Sequence, residues 1–97
     1  MMPTNYEAIG RCQVLSEQVE ALKKERSDIC QRLSSHLASL GGSLPGVVYQ
    51  LDTEATFAEW KELERINRDL MIAVKDFNQW APQADKRAIS IHEPHQQ

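Results

Sequence analysis

Apolar residues recur every three or four positions along two long stretches of this chain, with a glycine-rich break between them. In the first stretch Cys12, Leu15, Val19, Leu22, Arg26, Ile29, Leu33, His36 and Leu40 step alternately by three and four residues. That is the spacing of a heptad seam, here with two polar interruptions. In the second stretch Phe57, Trp60, Leu63, Ile66, Leu70, Ala73, Phe77 and Trp80 again step by three or four. The pattern predicts helices over 5–40 and 54–81, joined by a connection over 41–53 and followed by a tail over 82–97. The expected fold is all-α: one long antiparallel helical hairpin, coiled-coil-like, with a short extended C-terminal tail.

Local signals place the ends. Thr4-Asn5-Tyr6-Glu7, following Pro3, fits a capping box in which Thr4 caps the Glu7 amide and Glu7 reaches back. Gly10 sits inside the first helix, where glycine costs about 1 kcal/mol relative to alanine. Gly41-Gly42 is expected to stop that helix in a left-handed cap. Asp52 or Thr53 caps the second helix, with Glu54 in its first turn, and Pro82 ends it near Ala81. Glu7–Arg11, Glu20–Lys24, Asp28–Arg32 and Glu64–Arg68 each set an acid four residues before a base. Such pairs add only a few tenths of a kcal/mol each, so they corroborate the helices without explaining them.

The connection is long for a helix–helix turn. Its Leu44, Val47, Val48, Tyr49 and Leu51 are apolar and mostly β-prone, so it is expected to fold back over the end of the hairpin, turning at Pro45-Gly46. In the tail, Ala88-Ile89-Ser90-Ile91-His92 alternates like a short strand, and the residues from Glu93 onward read as disordered. The second helix is roughly 40 Å long, whereas the six residues from Pro82 to Arg87 span only about 20 Å. Ile89 and Ile91 are therefore expected to become ordered only on another protomer's connection or on a partner.

Val14, Met71 and Ile72 lie off the main stripes and broaden the apolar surface beyond what one partner helix covers. This points to a second interface and to a homodimer forming a four-helix bundle. Trp60 and Trp80, near opposite ends of the second stripe, are expected to pack in the seam with each indole N–H reaching a partner. For Arg26 and His36 two readings are open. Either each leans out to water from the edge of the seam, or the two set register and partner choice.

Composition narrows the function classes. A hydrophobic fraction of 41% and a charged fraction of 26% are those of ordinary globular chains, and the net charge of −3 lacks the basic excess of a dedicated nucleic-acid binder. The one basic stretch, Lys23, Lys24, Arg26 and Arg32, is interleaved with Glu20, Glu25 and Asp28. It reads as a solvated helix face before a nucleic-acid patch. There is no apolar run of the roughly 18 residues a membrane span requires, and no signal-peptide pattern at the start. Cys12 and Cys30 share one helix, roughly 27 Å apart, too far to bridge. A reducing, cytoplasmic setting is the expectation.

No constellation with the geometry of catalysis is legible. Gly41-Gly42 lacks the lysine and the strand of a phosphate loop. Cys30 and His36 are about 9 Å apart in helical rise, beyond the reach of a nucleophile–base pair. His92 and His95 are an isolated pair, short of the four ligands of a closed zinc site. No enzyme activity, cofactor or metal is expected.

NYEAIGRCQVL near the start and FNQWAPQADKRAI near the end are similar to small accessory proteins of temperate phages of enteric bacteria, encoded among their short early genes. The resemblance implies a protein of the host cytoplasm that engages a host factor such as a nuclease, a polymerase or a defence complex. The residues and the resemblance agree on a non-enzymatic protein-binding module that modulates or inhibits its partner. Its interface is expected to draw on Val14, Arg26, His36, Trp60, Met71, Ile72, Trp80, Ile89 and Ile91. The alternatives are a nucleic-acid-associated helical dimer using the basic stretch, and a structural coiled-coil spacer.

Overall fold

The computed structural model describes residues 4–42 and 44–94. Pro3, beside the first cap, and His95, the second histidine of the tail pair, lie outside the described residues. Helix α1 spans Tyr6–Ala38 and tightens into a 3-10 turn over Ser39–Gly41; helix α2 spans Thr53–Trp80 and tightens over Ala81–Ala84. Among the described residues there is no strand, and the fold is an all-α helical hairpin. The chain divides into two compact units, one made of the residues up to Glu20 with those from Met71 onward, the other of Ala21–Leu70.

The helix starts are set by side-chain caps. Asn5, not Thr4, caps α1: the Ala8 N–H donates to Asn5 Oδ1 at 3.0 Å. Asparagine is at least as good an N-cap as threonine, so the helix begins one residue later than the capping-box spacing suggests. Asp52 caps α2 in the same way, accepting from the Ala55 N–H at 3.0 Å. The end of α1 departs from expectation. Gly42 is extended (φ −67°, ψ 148°), and its N–H donates to the Ser39 carbonyl at 3.2 Å. The 3-10 turn satisfies that carbonyl without a left-handed residue.

In the unit of Ala21–Leu70, Ile29 of α1 and Ile66 and Leu70 of α2 are buried, with Leu22, Leu33 and Leu63 half-buried beside them. In the other unit Ala8, Cys12, Phe77, Ala81 and Ala84 form a buried cluster, with Leu15, Trp80 and Ile89 packed against it. Small residues at Ala8, Ala81 and Ala84 let the chain segments approach closely.

The seam of α2 is not the one expected at its start. Phe57 and Trp60 are exposed, at 56% and 50%, whereas the neighbouring Thr56 and Glu59 are half-buried. At about 100° per residue, the three successive three-residue steps from Phe57 to Ile66 rotate the stripe by roughly 180°. Glu59, seven residues before Ile66, stands within about 20° of it. Polar residues therefore occupy the seam where the apolar pattern had placed two aromatics.

The tail is also ordered differently. Asp85 adopts the left-handed conformation (φ 54°, ψ 44°), and the Lys86 N–H donates to the Ala81 carbonyl at 2.8 Å, the six-to-one bond of a Schellman-type stop. The chain then doubles back. Asn78 brackets Ile89, its Oδ1 accepting from the Ile89 N–H at 2.8 Å and its Nδ2 donating to the Ile89 carbonyl at 2.9 Å. Ile89 and Ile91 are half-buried, and Ala88, Ser90 and His92 are exposed. The alternation matches which residues turn inward, and Ile89 is ordered on its own chain without a second protomer. A reach of about 20 Å falls short of the connection, but by reversing at Asp85 the tail finds a site for Ile89 on the last turns of its own α2.

Moving the seam has a measurable consequence. Ile66→Ala removes a fully buried side chain and is expected to cost about 2–5 kcal/mol, whereas Phe57→Ala is expected to change stability by less than about 0.5 kcal/mol. Chemical denaturation of the two variants checks this. Equal losses would restore Phe57 to the seam.

Candidate functional site

The connection between the helices carries the longest run of uncovered large apolar side chains among the described residues. Pro45 and Gly46 (φ +75°) form its turn, closed by the Val47 N–H donating to the Leu44 carbonyl at 3.2 Å. This is the pattern of a type II turn, which needs a positive φ at its third position. Beyond the turn the backbone runs irregularly to Asp52, and Leu44, Val47, Val48, Tyr49 and Leu51 are all exposed, Val48 at 97%. The expected folding-back over the hairpin end does not bury them. With Leu37, Leu40, Phe57 and Trp60 they give nine of the thirteen large apolar side chains found exposed among the described residues, all within residues 37–60.

The reason lies in the seam beneath. Towards the connection His36 of α1 faces Glu59 of α2, with the half-buried Thr56 nearer the start of α2. His36 Nε2 lies 3.6 Å from Glu59 Oε1. The second Glu59 oxygen and Thr56 Oγ1 are buried without a hydrogen-bond partner. A buried polar atom left unsatisfied costs about 1–3 kcal/mol. This end of the hairpin thus spends polar groups inside and leaves apolar groups outside, the reverse of the arrangement that stabilises a free-standing domain.

Around Ile29 and Ile66 the two flanks of the hairpin differ. A groove on one flank is lined by Glu25, Asp28, Arg32, Glu59 and Glu62, with Ile29, Ala58 and Ile66 at its floor. Arg65 extends this charged flank, donating to Glu62 and, at 3.0 Å, to Asp69. The hydrogen bond from Arg65 and its charge, with Arg32 adding, hold the Glu62 carboxyl below its ordinary value of 4.5. On the opposite flank the half-buried Arg26 donates from Nη1 to Asn67 Oδ1 at 2.9 Å. Arg26 is thus tied to α2 by a hydrogen bond to a neutral amide.

The remaining expected interface residues fall in the other unit. Val14 is 65% exposed and lines a shallow groove with Tyr6, Gly10, Leu15 and Trp80, flanked by Glu7, Arg11 and Asp76. The Arg11 guanidinium lies 5.4 Å from the centre of the Trp80 ring, a cation–π contact, and Trp80 is half-buried. Ile72 is 58% exposed and Met71 half-buried. Of the expected set, Val14 and Trp80 share this groove, while Ile89 packs against the cluster of Ala8, Cys12, Phe77, Ala81 and Ala84. Leu37, which is uncovered, and Asn78, which holds the tail, are absent from the expected set, although the spacing of Leu37 from Cys30 and Leu33 signals it; Phe57, expected in the seam, is uncovered.

No three histidine, cysteine or acidic side chains gather as a metal ligand set among the described residues. Cys12 is buried and Cys30 exposed, both as free thiols. No helix among the described residues is long and apolar enough to cross a membrane. No protein-family model, curated protein or solved structure matches the chain.

The Glu62–Arg65 pair has a checkable signature. A carboxyl held below its ordinary value lends its stability above pH 4.5 and loses it as pH falls through the depressed value. An NMR titration is expected to place the Glu62 midpoint below 4.5, and Arg65→Ala is expected to return it to the ordinary range. An unshifted midpoint in the parent protein would remove the pair.

Proposed function

We propose that this chain is a non-enzymatic protein-interaction module that docks a protein partner through its helix–helix connection. The observation that carries the reading is the uncovered run Leu44, Val47, Val48, Tyr49 and Leu51, with Phe57 beside it on the first turns of α2. Free apolar patches larger than a few hundred Å2 are rare on monomers and mark binding surfaces. Here they sit on an irregular, proline-bearing connection, whose backbone is free to adapt to a partner's surface. Tyr49, Phe57 and Trp60 are of the type that dominates interface energetics.

Nucleic acid is the weaker occupant. Arg26 of the basic stretch is engaged by Asn67, and Arg32 lies among Glu25, Asp28, Glu59 and Glu62. Phosphate binding draws on uncompensated cations, and in this stretch Glu20, Glu25 and Asp28 are interleaved with Lys23, Lys24, Arg26 and Arg32. In line with the resemblance to phage accessory proteins, the partner would be a host protein met in the cytoplasm, whose activity the docked hairpin modulates or blocks.

The test is a paired capture from an enteric bacterial lysate, with the parent chain and a Val48→Asp, Tyr49→Asp variant as baits. Both substitutions fall on exposed connection residues, so helix content by circular dichroism is expected to be unchanged. The reading expects a protein enriched by the parent and lost, by more than about tenfold, with the variant. Identical captures from the two baits would contradict it.

A further inference from the structure

The charged groove fixes one flank of the Ala21–Leu70 unit, and the Arg26–Asn67 hydrogen bond fixes the other. At about 100° per residue, Cys30, Leu33 and Leu37 stand within about 40° of Arg26 on α1. Leu63, Trp60 and Thr56 stand within about 40° of Asn67 on α2. Apart from Arg26 itself, that arc holds no charged side chain as far as the end of α1 and back to the start of α2; Ser34 and Ala38, both uncharged, stand further round α1, about 80° and 120° from Arg26. Cys30, Leu33, Ser34, Leu37 and Ala38 line an open trough on this flank. Leu37 is 46% exposed.

We infer that this flank is the contact between two copies of the chain, related by a two-fold axis that sets the α1 trough of each against the other. The inference assigns self-association to a different surface from Val14, Met71 and Ile72. It rests on the reading of the chain as an interaction module but leaves the connection free for a partner.

Self-complementarity singles out a second copy as the occupant. Leu33 and Leu37 form a ridge at four-residue spacing, and beside it Cys30, Ser34 and Ala38 form a row of small side chains at the same spacing. A two-fold interface requires each copy to offer both halves of the match. Here the leucine ridge of one copy enters the small-residue row of the other and receives the same in return. This is the packing of like ridges that gives helix crossings near −50°. Charge agrees. Each chain carries a net −3. Pairing through the opposite flank would bring Glu25, Asp28, Glu59 and Glu62 towards their own counterparts, whereas the trough brings no charge against its like.

Sedimentation of the purified full chain over a micromolar concentration series tests the inference, with Leu37→Glu and Ser34→Glu as variants. Both positions are exposed, so helix content by circular dichroism serves as the folding control; a variant that fails it is set aside and the other is read. The expected result is a dimer whose dissociation constant rises more than about tenfold in the folded variant. Cys30 is exposed and Cys12 buried. A short bismaleimide is therefore expected to link parent dimers and to fail with Cys30→Ser. A monomer throughout the series overturns the inference, as does a dimer that neither variant weakens. Because these readouts use the pure protein alone, they are independent of the capture experiment and of the connection's partner.

Discussion

Two helices packed side by side can each bury only one stripe, and every other feature of this protein follows from how that narrow seam is filled. Where the seam is apolar on both sides, at Ile29, Ile66 and Leu70, the hairpin has an ordinary buried core. Each such side chain contributes about 1.5–3 kcal/mol when removed from water. Where it is not, at His36, Thr56 and Glu59, the helices still face each other but two polar atoms go unsatisfied. The chain compensates at its other end with a third segment. The tail reverses at Asp85 and lays Ile89 on the cluster of Ala8, Cys12, Phe77 and Ala81, so that three stretches of chain share one core there.

The two units are thus built on opposite terms. In one, a helix pair too narrow to cover its own apolar surface is completed by its own tail, with Asn78 satisfying both backbone groups of Ile89. In the other, no segment among the described residues performs that task. The connection instead adds Val47, Val48, Tyr49 and Leu51 to the uncovered surface. An end that is weakly packed inside and apolar outside is stabilised by association, since whatever binds the folded form alone shifts the folding equilibrium towards it. This couples the proposed function to the physical weakness of the fold.

Much of the architecture was legible in the residues. The three-and-four spacing located both helices, and on α1 the burial of Cys12, Val19 and Ile29 follows it. The Pro45-Gly46 turn was legible because positive φ at a type II turn has few solutions other than glycine. The errors have specific causes. Phe57 and Trp60 were assigned to the seam because their hydrophobicity outweighed the phase of the helix, which puts Thr56 and Glu59 there. The tail was sent away from the hairpin because a left-handed aspartate gives little sign of itself in sequence. Asn78 was missed because an amide side chain that mimics a strand partner does so only once the tail is beside it. The apolar trough beside Arg26 was present in the spacing of Cys30, Leu33 and Leu37. Only the hydrogen bond to Asn67, however, shows which flank of the hairpin those residues share.

The central claim is that the chain covers its apolar surface with its own tail at one end and leaves it uncovered at the connection. Residue-resolved amide hydrogen exchange on the full chain measures both halves at once. The account expects the slowest amides around Ile29, Ile66 and Leu70 and a protected Ile89 amide held by Asn78. Those of Val48 to Leu51 should exchange at nearly the rate of an unfolded chain. A connection as protected as the helices, or an Ile89 amide that exchanges freely, would contradict it.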